Sequence, residues 1–198
     1  MVAGITIFSN DNTIQVDDRY DTYGLTNKYI TTSIIGTQGQ LTAIAPSVNG
    51  GIIELGKDPH PTSVDVFEFK KANATPNDNF GLEVFDANGS TMFHSSKKPL
   101  RILDFVRIPT KKPLDWQNIP TLSKSYPNAA KVGVVISNWS PMVAETGKPN
   151  FPSAIFRPTI KITGNVVVFG WWGIEMGVVI PSTLGNFCDY LVVDLTNY

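Results

Sequence analysis

The chain's 198 residues include 42% hydrophobic and 11% aromatic side chains, enough for one sizeable core or for two small sandwiches of about 100 residues each. Charged residues make up 17% and the net charge is −1, which argues against a uniform electrostatic grip on nucleic acid or on an anionic membrane. The single cysteine excludes an internal disulfide, and residues 1–12 lack the basic start and apolar run of a secretory signal, so a soluble protein made in a cytoplasm is expected.

In chain order, Gly4, Ile5, Thr6, Ile7 and Phe8 lead through Asn10, Asp11 and Asn12 to Ile14, Val16, Asp17 and Asp18. Apolar residues with a period of two on either side of a polar turn predict a β-hairpin. Val64 and Val66, then Phe67 and Phe69, keep the same period, but the step from Val66 to Phe67 breaks the alternation and predicts a bulge or a change of buried face. Residues 72–79 are polar and turn-rich and predict a loop. They could join lobes at 1–71 and 80–198, or lie within one continuous domain spanning 1–198.

A second hairpin follows, 77 positions after the first: Gly81, Leu82, Glu83, Val84 and Phe85, then Ala87, Asn88 and Gly89, then Met92, Phe93, His94 and Ser95. Gly4 aligns with Gly81, Phe8 with Phe85, Asn12 with Gly89 and Val16 with Phe93. Asn12 and Gly89 suit the last turn position, where a hairpin of this length needs positive φ. Two readings stay open: a duplicated unit, or two hairpins that resemble each other because hairpins do.

Leu100, Ile102, Leu103, Phe105 and Val106 predict a strand flanked by Lys97, Lys98, Arg101, Arg107, Lys111 and Lys112, charges suited to guarding a sheet edge. Residues 109–127 form a long irregular stretch carrying Leu114, Trp116, Ile119 and Leu122; a loop of this length inside a compact domain usually docks on something. Val132 to Ile136 and Val166 to Phe169 are nearly continuous apolar runs, as in central strands covered on both faces, and Ile160 and Ile162 alternate. Residues 160–181 are apolar, but Lys161, Asn165, Glu175 and four glycines make them a poor membrane span. With 16 glycines and 14 prolines spread along the chain, the fold class expected is all-β, an antiparallel sandwich or sandwich-like fold with long loops.

The search for chemistry is mostly negative. No glycine-rich phosphate loop, nucleophile elbow or paired-histidine helix occurs, and His60 and His94 are far apart. Asp17, Asp18 and Asp21 cluster around Arg19 without the spacing of a calcium loop, and read as a solvated turn. Glu175 follows the tryptophan pair and fits a cleft or a wet strand end equally well. Cys188 has no histidine near it in sequence and reads as a small buried hydrophobe. No catalytic residue, cofactor or metal ligand is expected. Trp116, Trp139, Trp171 and Trp172 could form a sugar-stacking platform, but neighbours on a strand face opposite sides, so one of Trp171 and Trp172 is expected in the core and the other at the surface or in an interface.

The segment from Gly81 to Ser95, followed by Pro99, Leu100, Arg101, Ile102 and Leu103, resembles a hairpin found in small tail-associated proteins of tailed bacteriophages, with the pattern Gly-Leu-x-Val-Phe-Asp-x-x-Gly-x-x-x-Phe-Asp-Ser. His94 stands where that pattern has aspartate, and residues 4–18 look like a weaker copy. The resemblance implies a virion structural protein, assembled in the host cytoplasm: a tail, tail-tip, collar or fibre-attachment subunit that packs against itself or other virion subunits. On this reading the candidate contacts are Leu114, Trp116, Ile119, Leu122, Trp171 and Trp172, with sheet edges pairing across subunits and no membrane insertion. A glycan-binding module, recognising a surface glycan through the tryptophans, is the alternative. A hydrolase of envelope polysaccharides is the weaker one.

Overall fold

The computed structural model describes residues 6–8, 14–17, 23–33, 41–56, 59, 62–71, 83–85, 88–89, 91–94, 98–110, 121–148, 151–176 and 187–198. Among them there are strands and turns but no helix. A first ribbon pairs β1 (Thr6–Phe8) with β2 (Ile14–Asp17) and is followed by β3 (Tyr23–Thr31), β4 (Leu41–Pro46), β5 (Ile52–Glu54) and β6 (Val64–Lys71). A second ribbon, β7 (Glu83–Phe85) with β8 (Thr91–His94), precedes β9 (Arg101–Pro109). The chain then forms β10 (Leu122–Ser125), β11 (Val132–Asn138), β12 (Met142–Lys148), β13 (Phe151–Thr163), β14 (Val166–Met176) and β15 (Phe187–Asp194). All pairings are antiparallel. One sheet has the order β3-β6-β4-β11-β15-β9; the other runs β10-β14-β13-β12, with β5 also pairing with β13. The fold is all-β and sandwich-like.

The two ribbons share one register. Ile7 pairs with Val16 and Phe8 with Ile14, skipping Gln15; Val84 pairs with Phe93 and Phe85 with Thr91, skipping Met92. Every pair in one ribbon maps onto the other through the 77-residue offset, bulge included. Gly89 has φ +81°, as the turn requires.

The correspondence continues past the hairpins. In β3 the register against β6 shifts between Leu25 and Asn27, leaving Thr26 as the bulged residue; in β9 the register against β15 shifts so that Leu103, 77 positions on, is the bulged residue. Leu25 faces Phe69 as Ile102 faces Val193, Lys28 faces Phe67 as Phe105 faces Leu191, and Thr31 faces Val64 as Ile108 faces Cys188. The inner strands agree: Leu41 and Ala43 pair with Phe69 and Phe67, Gly133 and Val135 with Val193 and Leu191. The six-stranded sheet is therefore two copies of one three-strand unit, joined back to back where Ala43 meets Val135. Leu100, the counterpart of Tyr23, donates its N–H to the Tyr23 carbonyl at 2.7 Å, and the Leu25 N–H donates to the Lys98 carbonyl at 2.9 Å. The sheet thus curls until its two edges touch at one end. Strands from residues 1–71 and from 80–198 lie in this single sheet.

The break between Val66 and Phe67 has a different origin from a bulge in β6, which pairs with β4 without a shift. Both faces of β6 are buried. Val66, Ile44, Val134 and Val192 form a row that, with Tyr190, faces the second sheet; the Tyr190 ring meets Phe169 of β14 at 4.8 Å between centroids. On the opposite face, Phe67 and Phe69 lie beside Ala43 and Ala45 and under residues 195–198. There Tyr198 packs edge-on against Phe69 at 5.8 Å, donates its hydroxyl to the Pro99 carbonyl, and accepts from Lys28 Nζ at its own carbonyl. The main-chain N–H of Leu195 donates to the Lys131 carbonyl at 2.8 Å. A Cβ on Gly133 would lie 2.4 Å from Leu195 Cδ1, so any side chain there would displace that leucine from its seat. Asp65 is buried on the same face, held by the Ser47 hydroxyl at 2.7 Å and Lys131 Nζ at 2.8 Å, while Lys28 and Lys131 both sit over the Phe67 ring.

Two outcomes follow. Gly133→Val overpacks the Leu195 seat and is expected to lower stability by about 1–3 kcal/mol in urea unfolding; an unchanged midpoint would mean the seat is loose. Burial alone would raise the Asp65 pKa, but the hydrogen bonds from Lys131 and Ser47 and the charges of Lys131 and Lys28 outweigh it and hold the carboxyl below its usual range. Its contribution to stability is therefore present above the unfolded value of about 3.9 and is lost as pH falls through the lower folded value. The urea midpoint of Asp65→Asn should fall less between pH 6 and pH 3 than that of the unsubstituted chain.

Candidate functional site

Two surfaces gather chemistry that the sequence scatters. The first lies where β9 and β15 pair, on the face away from the second sheet. Ile102 and Phe105 are 55% and 53% exposed, and Phe187 joins them. In their midst Arg107 donates Nε and Nη2 to the two carboxylate oxygens of Asp189 at 2.7 and 2.9 Å, and its guanidinium lies 4.9 Å from the Phe187 ring centre and 5.6 Å from that of Phe105. These hydrogen bonds push the Asp189 carboxyl down and the Arg107 guanidinium up from their usual values. The charges satisfy each other, and what faces solvent is an apolar patch with an ion pair at its centre.

The edges beside this patch are poor templates for sheet extension. Both edge strands carry a bulge, at Thr26 in β3 and Leu103 in β9, and Pro99 and Pro109 bracket β9. Bulges and prolines blunt an edge, so side chains rather than ladder hydrogen bonds are what β9 offers a neighbour. Asp104, on the other face of β9, is tied to the second sheet's side by the Tyr126 hydroxyl at 3.0 Å and Lys124 at 3.3 Å.

The second surface is the outer face of the second sheet. Trp171 and Trp172 do face opposite ways. Trp171 is half-buried against both the main core and the small cluster of Met142, Ala154 and Phe156, whereas Trp172 is exposed and lies in register with Arg157. A Cβ at Gly173 would strike the Phe156 ring at 2.4 Å, so glycine lets that ring lie across β14. Arg157 donates Nη1 to the Gly56 carbonyl at 2.6 Å. Gly56 has φ +76°, and its missing Cβ would sit 2.9 Å from the exposed Trp139 ring. These residues meet where β13 passes from pairing with β5 to pairing with β12.

Of the contacts expected from the sequence, Leu114, Trp116 and Ile119 lie outside the described residues, as do His60, Asp18, Arg19 and Asp21. Leu122 pairs with Phe169 and packs half-buried against the core. Asp17 is opposite Thr6, His94 opposite Glu83 and Glu175 opposite Ala154, each on a different strand pair. Cys188 is fully buried: Ser140 N–H donates to its sulfur at 3.4 Å, the thiol donates back to the Ser140 carbonyl at 3.3 Å, and burial pushes the thiol's pKa up, away from thiolate. Among the described residues no three His, Cys, Asp or Glu side chains converge as a metal site, and no helix is long and apolar enough to cross a membrane. Sequence reasoning missed Arg157 with Gly56 and Arg107 with Asp189, because the partners lie 101 and 82 positions apart in the chain and have no local spacing signal. No protein-family model, curated protein or solved structure matches this chain.

A double-mutant cycle of Arg107→Ala and Asp189→Ala should return a coupling of at most about 1 kcal/mol that shrinks in high salt, because the arginine is exposed. A larger, salt-insensitive coupling would mean the patch is shielded from water.

Proposed function

We propose that this chain is a virion structural subunit of a tailed bacteriophage, placed in the tail, tail tip, collar or fibre attachment, and that it acts through assembly contacts. The observation that carries the reading is the pair of ribbons with identical register, neither hydrogen-bonded into a main sheet among the described residues. A two-stranded ribbon is marginal alone. Here Val84 is buried while Phe85 is about half exposed, so the second ribbon offers an aromatic outward. The resemblance of residues 81–95 to a hairpin of tail-associated proteins supports the same reading, as does the apolar patch of Ile102, Phe105 and Phe187. Such patches are places where subunits bury surface against one another.

The test is co-purification with phage particles together with native mass spectrometry of the isolated chain. The chain should be found in particles, and Phe85→Ala or Phe105→Ala should weaken its incorporation about tenfold without lowering its melting temperature. A chain that stays monomeric and is absent from particles would remove the proposal.

A further inference from the structure

The outer face of the second sheet carries a feature that assembly through the ribbons does not use. Trp172 on β14, Arg157 on β13 and Gly56 after β5 occupy neighbouring strand positions, and the Trp139 ring covers Gly56. The row spans two strand spacings, about 10 Å. Two residues along β13 on the same face, Thr159 lies opposite Gly170 and between them the surface carries little side-chain bulk. Two residues further on, Lys161 is exposed. Arg157 and Lys161 belong to none of the ion pairs among the described residues, which join Arg101 to Asp194, Arg107 to Asp189, Lys124 to Asp104 and Lys131 to Asp65. Glu54 lies on the neighbouring strand, in register with Thr159.

We infer that this face is a binding site for an acidic polysaccharide, a chain of pyranose rings bearing carboxylates. The chemistry is specific to that class in two respects. An indole presents a flat apolar face with a negative quadrupole, which takes the C–H face of a pyranose ring. A guanidinium presents a planar fork of donors that matches a carboxylate, and Arg157 uses one nitrogen to hold the Gly56 carbonyl, which fixes the orientation of the rest. Trp139 and Trp172 on either side of that fork fit a short run of rings with a carboxylate between them. A protein partner would call for a broader apolar area than two indoles separated by a guanidinium and flanked by Thr159, Gly170 and Lys161.

The inference is independent of the assembly role: particle incorporation reads one and sugar binding the other. The experiment is isothermal titration of the full chain with hyaluronan and oligomannuronate hexasaccharides, with maltohexaose and cellohexaose as neutral counterparts. Saturable binding of the acidic oligomers, weakened by salt, is expected. Trp172→Ala and Arg157→Gln should each raise Kd about tenfold while Phe105→Ala leaves it unchanged, with melting temperatures showing that each variant is folded. Arg157→Lys should restore the charge but only part of the affinity, since an ammonium cannot form the fork. Absence of saturable binding to the acidic oligomers, equal binding of the neutral ones, or binding that both substitutions leave intact would overturn the inference.

Discussion

The pairing of β4 with β11 is the contact on which the rest of this molecule depends. It joins Ala43 to Val135 and Ile44 to Val134 at the centre of the six-stranded sheet, and through it the two three-strand units become one surface. Neither unit alone could cover its own apolar residues. Val66 and Ile44 of the first unit and Val134 and Val192 of the second form one continuous row beneath the second sheet, and the opposite face is closed by residues 195–198. The missing side chain at Gly133 makes room for Leu195, so the junction is both the seam between halves and part of the seat that Leu195 occupies.

The class of fold was legible in the sequence because alternation reports half-buried strands directly. Val64 with Val66, Ile160 with Ile162 and the run from Val132 to Ile136 all became strands. The hairpin repeat was also legible, since its glycine, phenylalanine and turn residues are local. Its continuation was not. Leu25, Thr26, Asn27 and Lys28 correspond to Ile102, Leu103, Asp104 and Phe105, and only the first and third pairs keep their character. What the halves share there is backbone geometry, a bulge at one position in an edge strand, and many side chains satisfy it. The reversal at Val66 and Phe67 misled for a related reason: a strand covered on both faces has no polar side for the period of two to display.

The surfaces were less legible than the core. Trp172 was singled out as one of an adjacent pair facing opposite ways, which strand geometry alone dictates. Its neighbours Arg157, Gly56 and Trp139 come from three other segments of the chain and meet only because β13 is long enough to pair with β5 along one stretch and β12 along another. The same holds for the ion pair of Arg107 with Asp189 between Phe105 and Phe187, which turns a stretch read as charged strand flanks into an apolar surface with its charge internally balanced. Edge protection and surface exposure thus coexist on β9: the backbone edge is blunted while the side chains remain available.

The halves are equal in the shared sheet and unequal outside it. Among the described residues, the first half carries only the short β5 between its two inner strands, whereas the second carries the long β12, β13 and β14. The repeat therefore stops at the shared sheet: ribbon, edge strand and inner pair each occur twice in the chain, and the second sheet is built once.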